Sequence, residues 1–567
     1  MVKPAPIAHP QRASQAPRLL ALIAAAAGVI GIISAATPEW PGRLALVREY
    51  LSTSAPKVAD GLVVASSIGL LLLARGLARR RHRAWQAAVV ILAVSAVLHL
   101  IKGLDIEEAI FDLGVLILFV RKRRAFYAVG DPGGPQRAGV AALEAVAGLI
   151  GYGLAAIAIH DAVRGTAFHP LAALRQVVYG MAGQDVSADP GRFQHEVTLS
   201  LSVATIACGA YVVWIAVRSH QPRAGASDRD RRDARRLVEE LGCDSLAWFA
   251  LRRDKSYYFD AGRRAFIAYR AAGGFAVVSG DPIGDPEAFG AVTDGFLSYC
   301  QERAWRVSAL GVGTVGRALW EARGLRTAYV GDEAFVRPAD FSLEGRSIRK
   351  VRQSVTRLHK AGYTCRVMRA GELGPHGWEQ VEQISEAWLD GAPERGFSMA
   401  IDDMRAPEHA RAVLALALDP DGRVAGFVHL APVPAAAGLS LSTMRRLPDT
   451  PNGLMEFILC ETFAWAREHE VERISLNFAA FGELLRAEGV LGRRQRVLRF
   501  ALGKADRYFQ VERLLAFNRK FLPVWEPRYA AFESYSDVPI AALVTLSLES
   551  LLIWPRALRK LWPEQPA

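Results

Sequence analysis

Two loops in the second half of the chain carry residues suited to group-transfer chemistry. Glu394 follows a predicted helix, where a carboxylate can act as a general base or hold an ammonium group. Arg445 and Arg446 end a predicted strand, and guanidinium groups bind phosphate in a bidentate manner. A capping acid and two solvated arginines would leave the same pattern, so both interpretations stay open at this point.

The most distinctive cluster lies further on, in the segment Asn518–Tyr529. It carries Lys520, Trp525 and Arg528 on a stretch that contains two prolines. Cations beside an aromatic ring on a stiff segment can hold a phosphate together with a base or a lipid headgroup. A packed helix end is the alternative interpretation.

Two glycine-rich turns have the form of ligand-binding loops. Gly280–Asp285 carries Asp281 and Asp285, which suit either a substrate amine or ordinary turn formation. Residues 311–316 read GVGTVG after a predicted strand, with Asp332 further on, as in a dinucleotide fingerprint. Because the repeated parallel strands of a dinucleotide-binding domain are not indicated here, the favoured interpretation is a tight turn into a helix N-terminus, with or without an anion contact.

A strongly basic segment, residues 345–363, lies between these motifs. Its apolar residues recur at helical spacing and it contains no acid, so the pattern predicts an amphipathic helix with a cationic face. Such charge repels itself unless a polyanion or an anionic surface meets it, although a solvated face is the simpler alternative. The cations are Arg346, Arg349, Lys350, Arg352, Arg357 and Lys360.

Composition narrows the classes of partner and site. The formal net charge is +12 and the isoelectric point about 9.6, which favours nucleic acid or anionic lipid as a partner. The five cysteines are far apart and form no CxxC pair, which argues against a disulfide framework or a zinc site. No Ser/His/Asp order, metal-ligand spacing or Walker loop stands out, so neither a metal nor a cofactor is expected.

The elements that must position these residues occupy the second half of the chain. Predicted strands alternate with helices from about residue 233, which indicates an α/β or α+β layer fold. Predicted strands include residues 245–251, 265–269, 275–279, 306–311, 364–368, 424–431, 439–443 and 473–476, and predicted helices include 287–303, 378–390, 453–468 and 501–521. The pattern repeats, so we expect two related lobes, residues 233–340 and 341–535, with the basic helix at their junction.

The first 220 residues read as a membrane domain with the N-terminus in the cytoplasm. Six apolar runs approach the ~20 residues that cross a bilayer, the fourth being the shortest. Every second loop is rich in Lys and Arg, which predicts that the C-terminal part also faces the cytoplasm. The runs cover about residues 19–36, 61–77, 85–101, 109–120, 140–159 and 197–217. A linker over 221–232 and a C-terminal apolar helix and tail over 536–567 complete the predicted organisation.

The soluble half resembles the cytoplasmic synthase domain of phosphatidylglycerol lysyltransferases, the MprF-type aminoacyl-phosphatidylglycerol synthases. The resemblance spans roughly residues 245–533. The matching segments are Gly280–Asp285, Phe341–Gly362, Trp388–Ser398, Met444–Glu456, Ser475–Phe478 and Lys520–Tyr529. The resemblance implies two tandem GNAT-like acyltransferase lobes. It also implies an aminoacyl-tRNA as donor, with lysyl as the first expectation for the transferred group, and phosphatidylglycerol of the bacterial inner membrane as acceptor. Lipid flipping and a homo-oligomer are further open expectations, and no lysyl-tRNA synthetase domain is expected to follow.

The resemblance also implies roles for residues. Glu394, Arg445, Lys520 and Asn477 become the catalytic candidates, with Glu394 as base or amine-orienting acid, and the basic helix becomes a surface for tRNA or lipid. The substrate-binding candidates are Asp281, Asp285, Ser398, Glu456, Trp525 and Arg528. Ser442 stands where the family often has Asp, and Asn518 where it often has Lys, so no base is assigned to Ser442.

Two other classes of function fit the same pattern. A membrane-anchored N-acyltransferase that uses acyl-CoA would share the lobes but would not depend on tRNA. A transporter or scaffold without enzyme activity would use the soluble half only for regulation. Treatment of a membrane assay with RNase separates the first of these from an aminoacyl-tRNA enzyme, and a lipid extract separates the second.

Overall fold

The structure, a computed structural model, describes most of the chain and divides it into two compact units. The described residues are 16–36, 55–103, 105–128, 134–186, 191–217, 225–392, 394, 396–480 and 511–552. The N-terminal unit covers residues 1–221, and the C-terminal unit begins at residue 222.

The described part of the N-terminal unit is helical. Its helices are α1 (Ala16–Ala36), α2 (Ala55–Ala78), α3 (His82–Gly103), α4 (Ile106–Arg121), α5 (Gly134–Arg164), α6 (Pro170–Met181) and α7 (Arg192–Val217). Among the described residues, five helices, all except α4 and α6, are long and apolar enough to cross a membrane. The fourth predicted span lies in α4, which has 16 residues and is shorter than the ~20 residues of a typical span. A total of six spans therefore stays a prediction.

The C-terminal unit alternates strands and helices. Its helices are α8 (Asp228–Leu241), α9 (Phe289–Glu302), α10 (Thr314–Ala322), α11 (Arg349–Lys360), α12 (Pro375–Leu389), α13 (Leu454–Glu468), α14 (Val511–Asn518) and α15 (Val538–Leu548). The strands are β1 (Ser256–Phe259), β2 (Ala265–Ala272), β3 (Phe275–Ser279), β4 (Ile283–Gly284), β5 (Arg306–Val312), β6 (Arg326–Val336), β7 (Thr364–Arg369), β8 (Val413–Leu418), β9 (Val424–Val433), β10 (Gly438–Arg446), β11 (Arg473–Ala480) and β12 (Val524–Phe532).

One continuous sheet runs through both predicted lobes. The strand order is β1-β2-β3-β5-β12-β6-β11-β10-β9-β8-β7, and β4 pairs with β2. Strand β12 comes from the end of the second predicted lobe, yet it lies between β5 and β6 of the first. Each lobe has a parallel pair with a connecting helix, β3 and β5 through α9 and β10 and β11 through α13.

The parallel pair β10 and β11 opens into a wedge. Its pairing runs from Gly438 opposite Arg473 to Ser440 opposite Ser475 and then stops. Beyond that point each strand has a bulge against its other neighbour, between Leu441 and Thr443 in β10 and between Ser475 and Phe478 in β11. Bulges bend strands and increase their local twist, which accounts for the divergence of the two strands beyond this point.

A buried apolar cluster fixes the elements beneath the wedge. Val351, Val355 and Leu358 of α11 pack with Leu454 and other residues of α13 against the inner strands of the second lobe. The basic segment is therefore the amphipathic helix that its spacing predicted. Its apolar face is in the core and its cations remain outside.

One predicted strand is wrong. Residues 245–251 are a 3₁₀ segment, Ala247–Leu251, buried against α8 and β2. A short apolar run is buried whether it is extended or helical, so composition did not distinguish the two conformations. The part of the predicted helix over 501–510 lies outside the described residues.

Candidate active site

Three of the catalytic candidates lie on or beside the two strands of the wedge, β10 and β11. Arg445, near the end of β10, is 7% exposed, and its Nη2 donates to Oε1 of Glu394 in a close ion pair. Asn477 lies at the β11 bulge with φ of +73°, a left-handed conformation that asparagine tolerates better than most residues. A buried guanidinium thus faces a carboxylate that is 38% exposed and can be reached by a substrate.

A short loop, residues 396–401, connects these groups, and we call it the Glu394 loop because it begins two residues after that acid. Ile401 N donates to Ser442 Oγ at 3.1 Å, and Asn477 Nδ2 lies 3.4 Å from the Met399 carbonyl oxygen. Arg252, from the first lobe, donates to the Ala400 carbonyl oxygen at 2.9 Å. Ser442 therefore positions the loop, which is a role that a hydroxyl can fill without acting as a base.

Lys520 and Glu456 form a second ion pair. The distance between Lys520 Nζ and Glu456 Oε1 is 2.7 Å, and Glu456 lies in the first turn of α13. Arg445 near the end of β10 and Glu456 at the start of α13 lie on either side of the same connection, residues 447–453. The structure thus sorts four of the candidates into two ion pairs that flank one turn.

The basic helix α11 adjoins this turn. Arg357 Nη2 donates to the Asn452 carbonyl oxygen, and a Cβ added to Gly453 would lie 2.6 Å from Ser354 Cβ. Arg352 is half-buried and donates to the carbonyl oxygens of Leu343 and Gly345. The exposed cations of the segment are Arg346, Arg349, Lys350, Arg357 and Lys360.

Arg528 lies in a buried network instead of on an open surface. Its guanidinium is 4% exposed and donates to Glu333 Oε2 at 2.6 Å, Asp244 Oδ2 at 2.7 Å and Ser245 Oγ at 2.8 Å. Two carboxylates already neutralise it, and all three of its nitrogens donate to protein oxygens. The contacts are those of a residue that joins β12 to β6 and to the turn that precedes the 3₁₀ segment.

Asp281 occupies the helix N-terminus that the GVGTVG motif creates. Its carboxylate accepts from Gly313 N at 3.0 Å and from Gly316 N at 3.2 Å. Burial, and then the charge of Asp244, raise the pKa of Asp281 to about 6. The predicted tight turn is confirmed, and the anion at this helix terminus is a protein side chain.

The other three substrate-binding candidates have structural contacts. Asp285 accepts from Glu287 N at 2.9 Å and pairs with Arg264 at 2.7 Å, which is turn chemistry. Ser398 is fully buried, and its hydroxyl donates to Glu549. Trp525 packs against the core of the second lobe.

Sequence reasoning missed several residues around the site. Glu333 and Asp244 neutralise Arg528, but carboxylates are too common in the sequence to have marked them. Lys255 is fully buried, and its Nζ lies 4.5 Å from the centre of the Phe397 ring. Glu549 could have been noticed, because it is the single acid in the apolar C-terminal stretch 539–554. The structure places its carboxylate against the Glu394 loop.

A family model decides the classification of the chain. The model described as "Phosphatidylglycerol lysyltransferase, C-terminal" matches residues 235–532. This chain belongs to that family. The match contains all sixteen site residues predicted above, whereas Glu549 lies beyond its end.

Similarity to longer proteins extends across the N-terminal unit. The lysylphosphatidylglycerol biosynthesis bifunctional protein LysX of Mycobacterium sp. (strain KMS) is 33% identical over 517 residues, which cover 86% of this chain and 46% of that protein. The protein of the same name from Mycolicibacterium gilvum is 31% identical and covers 97% of this chain and 51% of the relative. The chain therefore spans about half the length of these relatives.

Two solved structures share the fold of the C-terminal unit. L-PGS from Bacillus licheniformis has a TM-score of 0.51 at 23% identity and covers 56% of this chain and 96% of its own. The C-terminal domain of a protein described as a lysylphosphatidylglycerol synthetase from Agrobacterium fabrum has a TM-score of 0.50 at 25% identity, covering 57% and 97%. The predicted fold class, a multi-span α-helical domain followed by an α/β (α+β) unit of two tandem GNAT-like lobes, is confirmed.

Proposed function

We propose that this protein transfers an aminoacyl group from aminoacyl-tRNA to the glycerol hydroxyl of phosphatidylglycerol. Lysyl is the first expectation for the group that is transferred. The product would be a lipid with an added positive charge, which lowers the negative charge of the membrane. The observation that carries the proposal is the Glu394–Arg445 ion pair, which lies in the β10–β11 wedge of a unit that belongs to the phosphatidylglycerol lysyltransferase family.

The reaction is a transesterification that needs no oxidant or reductant. The oxygen of the lipid hydroxyl attacks the ester carbonyl carbon, a new ester bond forms, and the bond to the tRNA ribose oxygen breaks. The proton leaves the attacking hydroxyl and ends on the ribose oxygen. A carboxylate near the attacking group can relay that proton, and we assign Glu394 this role or the orientation of the substrate amine. Asn477, with its side-chain amide at the wedge, is assigned to the ester carbonyl.

Cations at the wedge would stabilise the negative charges of the reaction. Arg445 is buried, so its charge acts strongly on an oxyanion that forms beside it. Lys520 is 43% exposed, and an ion pair of this exposure contributes no more than about 1 kcal/mol, so Lys520 can leave Glu456 for a lipid phosphate at little cost. We assign Arg528 to the fold because its nitrogens already donate to protein oxygens.

The exposed cations of α11 are assigned to tRNA backbone or anionic headgroups. They lie on the helix that contacts the 447–453 turn, so a polyanion bound there would bring its end toward the wedge. Such contacts release counterions and should make the reaction strongly salt-dependent. The alternation of basic loops supports a multi-pass protein of the bacterial inner membrane with the C-terminal unit in the cytoplasm.

The decisive experiment uses the full-length protein in phosphatidylglycerol vesicles. Labelled lysyl-tRNA, and in parallel alanyl-tRNA, is added, and lipid product is measured by extraction. We expect labelled aminoacyl lipid that disappears after RNase treatment. No product from any aminoacyl-tRNA would overturn the proposal, and product that depends instead on acyl-CoA would favour the N-acyltransferase alternative.

Substitution of Lys520 tests the assignment of the site. Lys520→Ala should reduce lipid product by about 100-fold, the scale seen when one donor to a developing charge is lost. Arg519→Ala is the matched control, since Arg519 is an exposed cation in the same turn, and it should retain activity. Equal activity of the two variants would remove Lys520 from the site.

A further inference from the structure

Glu549, in the turn that follows α15, forms hydrogen bonds with three consecutive residues of the Glu394 loop. Its Oε2 accepts from Phe397 N at 2.6 Å, and its Oε1 accepts from Ser398 N at 3.1 Å and from the Ser398 hydroxyl. Its own carbonyl oxygen accepts from Gly396 N at 3.2 Å. These residues are about 150 positions apart in sequence, and Glu549 is only 7% exposed.

The same loop is held from its other end by the wedge. Met399 and Ile401 bond to Asn477 and Ser442, whereas Gly396, Phe397 and Ser398 bond to Glu549. Glu394 is two residues before the first of these bonds. The position of the Glu394 carboxylate relative to Arg445 therefore depends on both anchors.

The charge of Glu549 also acts on a group of buried basic residues. Arg252, Lys255 and Arg270 are buried together, and Asp254 is the acid that pairs directly with both arginines. The charge of Glu549 acts on Arg252 and on Lys255, and Lys255 lies against the ring of Phe397. Burying cations without compensating acids is costly, so removal of Glu549 would affect this cluster as well as the loop.

Apolar packing holds Glu549 in this position. Ala541, Val544 and Leu548 of α15 are buried with Phe397, Phe275 and Val277. The helix thus attaches to β3 of the first lobe and delivers one carboxylate to a loop of the second. The predicted C-terminal apolar helix packs on the unit in this way, at least over its described residues.

We propose that Glu549 is a positioning residue for aminoacyl transfer, which fixes the Glu394 loop and, through it, the Glu394–Arg445 ion pair. The inference rests on the proposed function and adds a residue outside the part of the chain that the family model matches. Glu549 has no contact with the reacting atoms in this role. It acts through the backbone of residues 396–398.

The test compares Glu549→Ala with Val292→Ala in the full-length protein. Val292 is fully buried in α9 in the core of the first lobe, away from α15 and the Glu394 loop, so Val292→Ala controls for general loss of stability. Glu549→Ala should lower kcat by about 10- to 100-fold, because a displacement of about 1 Å in a reacting group has effects of this size. The KM for lysyl-tRNA should stay within about twofold, because α11 is untouched, and Val292→Ala should change kcat less than about threefold.

Conservative substitutions and hydrogen exchange distinguish positioning from folding. Glu549→Gln keeps one carbonyl oxygen that accepts from Ser398, but it presents to Phe397 N an amide NH2 group that cannot accept a hydrogen bond, so we expect a kcat between those of the unaltered protein and Glu549→Ala. Amide exchange in peptides that cover residues 396–401 should accelerate in Glu549→Ala and not in Val292→Ala. This readout does not require activity.

Each outcome decides the proposal. Unchanged kcat in Glu549→Ala, or unchanged exchange at residues 396–401, would overturn the positioning role while the proposed function stands. An equal fall of kcat in Val292→Ala would overturn it as well, because stability alone would explain the loss. Absence of transfer by the unaltered protein would overturn the proposed function and, with it, this role.

Discussion

Two arginines in this protein show how partners decide what a residue does. Arg445 and Arg528 are both buried, but Arg445 faces one carboxylate that solvent can reach, whereas Arg528 donates to Glu333, Asp244 and Ser245. The first can act on a substrate, and the second has its donors engaged within the fold. The sequence presents both as cations near strands and does not distinguish them.

Lys255 provides a prediction for stability against pH. Burial lowers the pKa of Lys255 from 10.5 to about 7, against the opposing charge of Asp254. Between pH 7 and 10 the unfolded chain holds the proton that the folded chain has lost, so stability should rise with pH, by up to ~1.4 kcal/mol per unit. Thermal unfolding of the unaltered protein and of Lys255→Met at pH 7.5, 8.5 and 9.5 measures this.

The comparison between the two proteins isolates the contribution of one amine. Lys255→Met keeps an unbranched apolar side chain, one atom shorter than that of lysine, and has no titrating group. Its unfolding temperature should rise less with pH than that of the unaltered protein. Parallel curves for the two proteins would show that Lys255 does not titrate in this range.

At the scale of elements, the N-terminus of α10 shows why a glycine motif did not indicate a nucleotide. Asp281 accepts from Gly313 N and Gly316 N, so a carboxylate of the protein fills the place where a phosphate would bind. The glycines are required because the carboxylate approaches the backbone closely. A Cβ on Gly316 would lie 2.0 Å from Asp281 Oδ1.

Gly316→Ala should therefore destabilise the C-terminal unit. The added methyl group would displace the buried Asp281 carboxylate from its two donors, at a cost of about 2–3 kcal/mol. Gly290→Ala is the control, because the nearest atom to its Cβ would be an arginine nitrogen at 3.4 Å. Thermal unfolding should show a lower midpoint for Gly316→Ala alone, and similar midpoints for both variants would contradict this account of the motif.

At the scale of the whole molecule, β12 makes the two lobes one folding unit. It lies between β5 and β6, so the first lobe without it would expose edges on both strands. The Arg528 network crosses the same strand and joins residues that are up to 284 positions apart. The lobes are therefore repeats in pattern but not independent domains in space.

A fragment of residues 225–340 should not fold by itself. We expect it to be insoluble or to lack a cooperative thermal transition by circular dichroism, because β12 and its Arg528 are missing. Co-expression with residues 341–552 should restore soluble protein that contains both pieces. A sharp unfolding transition of residues 225–340 alone would refute the dependence on β12.

Because of Pro527, the sequence predicts a stiff segment at β12 and not an inner strand. Proline lacks the N–H that a central strand donates, so its presence argues against one. In the structure the strand pairs with β6 at Pro527, has a register shift directly after Arg528, and pairs with β5 only from Tyr529 onward. The proline thus stands where one side of the strand is not yet part of the sheet.

The sequence by itself determined many of the local elements, the apolar character of the N-terminal unit, the basic helix and the residues of the two ion pairs, because periodicity and charge are properties of neighbouring residues. Only the tertiary structure decided that Arg445 meets Glu394, that Lys520 meets Glu456, that Asp281 fills a helix N-terminus and that Glu549 holds the Glu394 loop. Contacts across tens to hundreds of residues depend on strand order and burial, and no local pattern encodes either.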